Sequence, residues 1–218
     1  MRIDKWLFLQ GYFDSRSKAK EAVKRGLVKV NGKIVKPSYE VKGDEKIEIL
    51  ESGKPKGYFK LKELDAEWGI IKEGDVVLDL GSSAGGFLLY ASEKAGKVIG
   101  VEISREFEKE LRKREKSRDN VEIIIDDAFK MDTSKLPHFD LILCDLTLEP
   151  EDSFKALQRF LDKLKDDGRI LFVSKDREFR FPENFNVIKS KKSENKREWF
   201  YLVQVKSSQS ALRWKRNS

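Results

Sequence analysis

The chain has 218 residues, enough for one medium-sized domain and a smaller one. Charged residues make up 38% of it, the formal net charge is +7, and the single Cys144 and single His138 exclude an internal disulfide and a Cys/His metal site. There is no apolar run long enough to cross a membrane and no signal-peptide pattern. We therefore expect a cytoplasmic protein that binds neither a metal nor a membrane.

The positive charge is concentrated near the N-terminus. Residues 1–50 contain 12 basic and 7 acidic residues, whereas the remaining 168 residues contain 33 basic and 31 acidic ones. A local excess of this kind favours a polyanionic partner for the N-terminal segment.

Residues 1–50 predict two helices packed on a small sheet. Apolar residues at helical spacing predict a first helix that ends before Gly11, and Asp14 or Ser15 can cap a second helix over residues 17–25. Asn31-Gly32 favours a two-residue hairpin turn between the first two strands. The expected strands cover residues 28–30, 34–35 and 46–50.

Three motifs in this segment resemble the S4 domain, an RNA-binding module. They are Arg2-Ile3-Asp4, Ser15-Arg16-x-x-Ala19 and Gly26-Leu27-Val28-x-Val30-Asn31-Gly32. The resemblance implies a phosphate-facing surface made of Arg2, Arg16, Lys18, Lys20, Lys24, Arg25, Lys29 and Lys33. Such contacts bind RNA by releasing counterions and carry little sequence information. The alternative interpretation is an ordinary solvated helix face.

Residues 51–57 combine Gly, Pro and Lys and are typical of a linker. A helix is expected to follow from about residue 58 to Trp68, with Leu61 and Leu64 facing a core. We therefore divide the chain into an N-terminal domain (1–50), a linker (51–57), a larger domain (58–205) and a basic tail (206–218).

A glycine-rich stretch over residues 76–87 opens the larger domain. A β-branched and aliphatic strand ends in an acid and turns through glycines into a helix, the arrangement that binds nucleotide-like ligands in α/β sheets. Its spacing, Asp-x-Gly-x-x-x-Gly-Gly, differs from that of dinucleotide binders. The stretch resembles motif I of S-adenosylmethionine (SAM) dependent methyltransferases, although a turn that merely closes a strand–helix unit is the alternative. The resemblance implies cofactor contacts from Asp79, Gly81, Ser82, Ser83, Gly85, Gly86 and Phe87.

Further strands alternate with helices, which predicts a parallel sheet. The strands are expected at residues 97–102, 121–125, 139–145 and 170–175, and the helices up to residue 95 and at residues 105–116 and 152–164. Glu102 ends one strand, where an acid can take the ribose hydroxyls of a cofactor. Asp127, which fits the pattern better than Asp126, can accept a hydrogen bond from an adenine amine.

Two last strands, at residues 185–189 and 197–205, have no helix between them and predict a hairpin. We therefore expect an α/β, Rossmann-like, mostly parallel seven-stranded sheet with an antiparallel last strand, beside a small α+β N-terminal domain. If the last strand pairs with the strand at 170–175, its first residues lie at that strand's carboxyl end. Glu198 should then lie close to Lys175.

The segment Phe59-Lys60-Leu61-x-Glu63, the glycine-rich stretch, Asp145, Lys175 and Arg197-Glu198 together resemble the FtsJ-like ribose 2′-O-methyltransferases. The resemblance implies a catalytic tetrad, SAM as cofactor with Asp145 also near it, and Lys175 as the base. The tetrad maps to Lys60, Asp145, Lys175 and Glu198. An S4 domain followed by an FtsJ-like domain resembles the TlyA (hemolysin A) family, which implies ribosomal RNA or ribosomal subunits as the partner.

A lysine base must be neutral to accept a proton. A second lysine nearby and burial lower its pKa, whereas Asp145 and Glu198 raise it. The sequence therefore does not decide whether the pKa of Lys175 is raised or lowered. The cluster could instead be a structural ion-pair network. Two alternative functions remain: a non-catalytic RNA-binding protein with a vestigial methyltransferase domain, and an RNA base methyltransferase. Cytosine carbon-5 chemistry needs a cysteine nucleophile, but Cys144 and Asp145 are neighbours on a strand and should point to opposite faces.

Overall fold

The computed structural model describes residues 1–13, 15–50, 54–194 and 196–206. The chain forms two compact units, residues 1–56 and 57–218. Asp14, residues 51–53 of the predicted linker and residues 207–218 of the predicted tail lie outside the described residues. No helix in the described part of the chain is both long and apolar enough to span a membrane.

The first unit packs two helices against a three-stranded antiparallel sheet of order β2-β1-β3. Its elements are α1 (Ile3–Leu9), α2 (Arg16–Lys24), β1 (Val28–Val30), β2 (Lys33–Ile34) and β3 (Ile47–Ile49). Ser15 caps α2 by accepting a hydrogen bond from the Lys18 amide at 3.2 Å, so α2 begins one residue earlier than expected. Asn31 and Gly32 have φ values of 49° and 76°, as a two-residue hairpin turn requires.

The second unit contains the predicted seven-stranded sheet. Its order is β6-β5-β4-β7-β8-β10-β9, and β10 is antiparallel to both of its neighbours. Its elements are α3 (Lys56–Trp68), β4 (Val76–Leu80), α4 (Gly86–Ala91), β5 (Lys97–Glu102), α5 (Glu108–Lys116), β6 (Val121–Ile125), β7 (Phe139–Cys144), α6 (Pro150–Gln158), β8 (Leu164–Lys175), β9 (Phe185–Lys192) and β10 (Glu198–Val205).

Apolar residues cover both faces of the central strands, as expected where helices pack on both sides of a parallel sheet. In β7, Leu141 and Leu143 face the core formed with α3, α4 and α5. Ile142 and Cys144, which alternate with them, face the core formed with α6. Fully burying one side chain of this size contributes about 1.5–3 kcal/mol, so this packing holds the strand ends in place.

Several predicted boundaries were wrong. α4 ends at Ala91 rather than near residue 95, and in the turns that follow Asn120 donates to the carbonyls of Ser92 and Ala95 at 3.0 Å. α5 begins at Glu108 rather than at residue 105.

The largest difference lies between α6 and β8. The helix ends at Gln158 rather than near residue 164, and a short 3₁₀ helix (Leu161–Lys163) leads into β8, which begins six residues before its predicted start. The pairing register shifts after Phe139, and a Cβ at Gly168 would lie 2.5 Å from Leu164 Cδ1. The segment around Gly168, between the predicted helix and the predicted strand, is therefore an irregular part of β8.

Candidate active site

The carboxyl ends of the parallel strands border one cleft of about 310 Å³. This is the edge at which open α/β sheets bind ligands. Five of the predicted site residues line it: Gly81, Ser83, Glu102, Asp127 and Asp145. Gly81 has φ = 82°, and a Cβ there would lie 2.8 Å from Leu146 Cδ2. A glycine is therefore needed where the loop after β4 approaches the loop after β7.

Glu102 is held by the backbone on both sides of the cleft. The residue is only 7% exposed. Its carboxylate accepts hydrogen bonds from the amides of Ser83 at 2.7 Å and Ser104 at 2.8 Å. Ser83 has φ = 49°, an uncommon conformation for a serine. Each carboxylate oxygen still has a lone pair, so Glu102 can accept further hydrogen bonds from a diol.

Asp127 and Asp126 both line the cleft but are held differently. Asp127 accepts a hydrogen bond from the Phe129 amide at 2.9 Å and lies 3.6 Å from the Lys130 ammonium. Asp126 accepts from the Asp127 amide at 2.7 Å. The same turn thus presents two carboxylates, and Asp127 is the less exposed of them.

Sequence reasoning missed the apolar part of the cleft. Ile103, Phe129 and Leu148 are large hydrophobic side chains that are 64%, 42% and 39% exposed, and all three line the cleft. Phe107, Ala128 and Leu146 complete this apolar lining. The available signal was an apolar residue one or two positions after each acid at a strand end. Exposed apolar groups beside carboxylates suit a ligand with a flat ring and a polar edge.

Asp79 does not line the cleft but is buried next to it, two residues before Gly81. It is 1% exposed, and among the described residues neither carboxylate oxygen has a hydrogen-bond partner. Burial raises the pKa of Asp79 to about 7, and the nearby carboxylates of Asp145 and Glu102 add to the shift. A buried carboxylate without a hydrogen-bond partner would be stabilised by a bound cation or hydrogen-bond donor.

Other members of the glycine-rich stretch pack against the protein rather than line the cleft. A Cβ at Gly86 would lie 2.7 Å from the Tyr58 amide, so this glycine lets α4 approach the backbone of α3. Gly85 has φ = 74° and faces Arg114. Ser82 is buried, and its hydroxyl donates to the Asp79 carbonyl at 3.2 Å.

Two lysines and two carboxylates from four separate elements meet beside the cleft; we refer to them as the tetrad. Its members are Lys60 of α3, Asp145 after β7, Lys175 at the end of β8 and Glu198 at the start of β10. Lys60 Nζ donates to Asp145 Oδ2 at 2.8 Å, and Lys175 Nζ donates to Asp145 Oδ1 at 2.5 Å and Glu198 Oε1 at 2.8 Å. Lys60 Nζ also lies 3.1 Å from Glu198 Oε2.

Strand direction accounts for half of this arrangement. Glu198 and Lys175 are direct Cα partners in the antiparallel pair β8–β10, as the sequence predicted. The backbone after Lys175 turns sharply, since Asp176 has φ = 62° and its amide donates to the Arg197 carbonyl at 2.7 Å. Lys175 therefore stands at a tightly fixed strand end.

Packing of α3 accounts for the other half. The Lys60 ammonium lies 5.7 Å from the centre of the Phe87 ring and 5.9 Å from that of Phe200. Phe87, predicted to contact a cofactor, is a buried residue whose ring lies beside the Lys60 ammonium.

The sequence did not decide whether the pKa of Lys175 is raised or lowered, and the charges of the tetrad raise it. Burial disfavours the Lys175 ammonium, but the carboxylates of Asp145 and Glu198 outweigh burial and raise the pKa of Lys175. Burial likewise disfavours the two carboxylates, yet Lys60 and Lys175 hold the pKa of both below the usual range. Without other charges nearby, Lys175 is therefore protonated at neutral pH.

Cys144 cannot supply a nucleophilic thiolate in this environment. It is fully buried in the core on the α6 side, with its Sγ 3.9 Å from the Ser153 carbonyl oxygen. Burial, together with the Asp145 carboxylate, raises the pKa of its thiol. In the described part of the chain, no group of three or more His, Cys, Asp or Glu side chains could hold a metal ion.

The basic residues predicted to face RNA are distributed over several elements of the first unit. Arg16, Lys20 and Lys24 follow each other at i+4 spacing along one side of α2, whereas Lys18 and Arg25 lie along another. Lys24 lies 3.9 Å from Glu21, Lys29 lies on β1, and Lys33 is exposed on β2.

The clearest organisation in this set surrounds Asp4, which is 1% exposed. Its carboxylate accepts hydrogen bonds from Arg2 Nε at 3.2 Å and Arg16 Nε at 3.1 Å. Burial disfavours this carboxylate, but the two guanidinium groups outweigh it and hold the pKa of Asp4 below its usual value. Asp4 thus orients two half-exposed arginines.

The family model for the FtsJ-like methyltransferase matches residues 54–175, more than half of the chain. The chain belongs to the FtsJ-like methyltransferase family. The S4 domain model matches residues 1–47, so this FtsJ-like chain carries an S4 domain before the methyltransferase fold.

Two curated relatives match part of the chain. Hemolysin A of Brachyspira hyodysenteriae is 37% identical over 90 residues, which cover 40% of this chain and 38% of that protein. Ribosomal RNA large subunit methyltransferase E of Bdellovibrio bacteriovorus is 36% identical over 91 residues, which cover 40% and 46%. The matched segment thus spans less than half the length of either relative.

One solved structure supports the fold. Aeropyrum pernix fibrillarin in complex with natively bound S-adenosyl-L-methionine has a TM-score of 0.54 and 18% identity, covering 62% of this chain and 68% of that one. At this identity the likeness concerns the Rossmann-like methyltransferase fold alone.

Proposed function

We propose that the protein is a SAM-dependent RNA methyltransferase that methylates ribose 2′-hydroxyl groups of ribosomal RNA in the cytoplasm. The observation that carries the proposal is the shared position of Asp145, which lines the cleft and also accepts hydrogen bonds from Lys60 and Lys175. A ligand-sized cleft and a proton-transfer group thus meet at one carboxylate.

The residues around the cleft fit SAM. Glu102 offers lone pairs to a ribose diol, Asp127 can accept from an adenine amine, and Ile103 and Phe129 offer apolar surface to a purine ring. The unpartnered carboxylate of Asp79 suits the α-ammonium group of the amino-acid tail. When bound, the cofactor would supply a methyl group on a sulfonium, whose sulfur leaves as a neutral thioether when the C–S bond breaks.

The tetrad would then manage the proton of the attacking hydroxyl. Lys175 can accept this proton only after losing its own, and any additional positive charge near Asp145 lowers the pKa of Lys175. Asp145 orients Lys175, while Lys60 and Glu198 limit the positions that its ammonium can take. Alignment of the hydroxyl and removal of its proton are the tasks that remain to the protein.

The two-domain order supports RNA as the substrate. The S4 domain would bind RNA phosphates with Arg2 and Arg16, which Asp4 holds in place, and the second unit would carry the reaction. The name of the Bdellovibrio relative supports ribosomal RNA as the first substrate to test.

The test measures methyl transfer from labelled SAM to ribosomal RNA and tRNA, followed by digestion to nucleosides. We expect label on the ribose 2′-oxygen. Lys175→Ala should bind SAM with parent affinity in calorimetry but transfer methyl about 100-fold more slowly or worse. The matched control is Lys116→Ala, on the exposed side of α5.

Three outcomes would contradict the proposal. Label on a base would favour the base-methylating alternative, and parent-rate transfer by Lys175→Ala would refute the role given to the tetrad. RNA binding without SAM binding would leave a non-catalytic RNA-binding protein.

A further inference from the structure

The end of β9 and the turn that leads into β10 concentrate positive charge beside the tetrad. Residues 189–197 contain five basic residues and one acidic residue, Glu194. The basic residues are all exposed: Lys189, Lys191, Lys192, Lys196 and Arg197. This segment lies outside both family-model matches, which end at residues 47 and 175.

Backbone hydrogen bonds fix this turn against the reactive edge of the sheet. The Ser193 amide donates to the Glu198 carbonyl at 2.8 Å, which closes the turn. The Arg197 carbonyl accepts from the Asp176 amide at 2.7 Å, and Asp176 directly follows Lys175. Arg197 is therefore adjacent in sequence to one tetrad residue and hydrogen-bonded to the neighbour of another.

Not all five cations are available to an external anion. The Lys191 ammonium pairs with Glu67 at 2.7 Å, and Lys189 Nζ lies 3.5 Å from the Glu67 carbonyl oxygen. Both are thereby held towards the C-terminal end of α3.

The other three cations are held less tightly. Lys192 Nζ lies 5.0 Å from the centre of the Trp199 ring, and Lys196 Nζ is 3.9 Å from Glu198. Among the described residues, no carboxylate lies within ion-pair distance of Lys192 or Arg197. On α5, by contrast, Arg112 and Arg114 are both paired with glutamates of their own helix.

We infer that Lys192, Lys196 and Arg197 form a phosphate-binding site that holds the RNA strand on either side of the methylated ribose. This inference rests on the proposed function. A ribose within an RNA chain carries a phosphate on each side, so a hydroxyl presented to Lys175 brings two phosphates to this edge. Three cations at the end of β9 and on the turn fixed to that edge can neutralise these phosphates. Contacts of this kind do not recognise the RNA sequence.

The test compares two triple variants. Lys192→Ala/Lys196→Ala/Arg197→Ala removes the three cations, and Lys109→Ala/Lys113→Ala/Lys116→Ala removes three exposed lysines from α5, beside the opposite edge of the sheet. The first should raise the Kd for ribosomal RNA at least about tenfold at low salt and reduce the salt slope of log Kd by about 2. SAM affinity should stay at the parent value. The second triple should match the parent in all three measurements.

A charge-retaining variant, Lys192→Arg/Lys196→Arg/Arg197→Lys, guards against effects on folding of the turn, and it should bind RNA like the parent. Parent affinity and salt slope in the alanine triple would overturn the inference. A loss of kcat with unchanged RNA affinity would also overturn it, because the turn would then act on the tetrad geometry alone.

The proposed function fails by a different result. If the parent binds RNA and SAM but transfers no methyl, the reaction assignment is lost, while the RNA-binding measurements still judge the phosphate site.

Discussion

The carboxylates of Asp79, which is buried, and of Asp145, which is partly buried, lie near the carboxyl ends of neighbouring strands, yet their pKa values are shifted in opposite directions. Asp145 lies between two ammonium groups, and its pKa is lowered. Asp79 has no hydrogen-bond partner among the described residues, and burial raises its pKa to about 7. The comparison shows that the tetrad is neutral by itself, whereas the cofactor side of the site has a charge to be matched by a ligand.

The largest effect is expected from breaking the paired carboxylate. Asp145→Asn leaves two partly buried ammonium groups with one carboxylate, so the free energy of unfolding should fall by about 3 kcal/mol. Methyl transfer should fall about 100-fold or more. Urea denaturation and the labelled-SAM assay measure the two effects.

The matched control is Asp152→Asn, because Asp152 pairs with Lys155 on the half-exposed surface of α6. Its effect on unfolding should stay within about 0.5 kcal/mol. Equal losses of unfolding free energy in the two variants would show that Asp145 contributes no more to stability than an exposed ion pair does.

The unpartnered carboxylate should behave in the opposite way. Asp79→Asn removes the cost of burying a charge, so at pH 8 it should stabilise the protein without cofactor, by about 2 kcal/mol. The same change should weaken SAM binding, because the α-ammonium group of the amino-acid tail loses its partner. Thermal unfolding with and without SAM measures both effects, and a destabilised variant with unchanged SAM affinity would refute the role of Asp79.

The raised pKa of Asp79 also predicts how the stability of the protein depends on pH. An ordinary aspartate in the unfolded chain ionises near pH 3.8, whereas Asp79 in the folded protein ionises near pH 7. Between these values the folded state binds the extra proton, so the contribution of Asp79 to stability is lost as the pH rises towards 7. The difference in unfolding free energy between the parent and Asp79→Asn should therefore change across pH 4–7 and level off above it.

The smallest effect is expected at Cys144. Its thiol is buried in the core on the α6 side, so Cys144→Ala should cost about 1 kcal/mol of stability and leave methyl transfer at the parent rate. Loss of transfer in a variant that still binds SAM would revive the base-methylating alternative.

Much of the site could be predicted because its charges follow strand direction. Glu102, Asp127, Asp145 and Lys175 stand at or after the ends of parallel strands, which must share an edge. The antiparallel last strand then brings Glu198 opposite Lys175. The periodicity of apolar residues and the order of strands and helices were sufficient to place these residues, because a parallel sheet leaves little freedom in where its strands end.

Other features could not be read from order alone. Lys60 is one of several lysines on α3, and only the packing of that helix over Phe87 and Phe200 brings it to Asp145. Gly86 belongs to a motif that predicts cofactor contact, but it packs against the backbone of α3. Each of these roles depends on which surfaces meet in three dimensions.

The sequence by itself determined the order of strands and helices, the edge at which the reactive groups lie, and the pairing of Glu198 with Lys175. Only the tertiary structure decided the charge state of those groups, because a pKa depends on how deeply a group is buried and on which charges lie within a few ångströms. Burial without a partner raises the pKa of Asp79, whereas the carboxylates of Asp145 and Glu198 raise the pKa of Lys175.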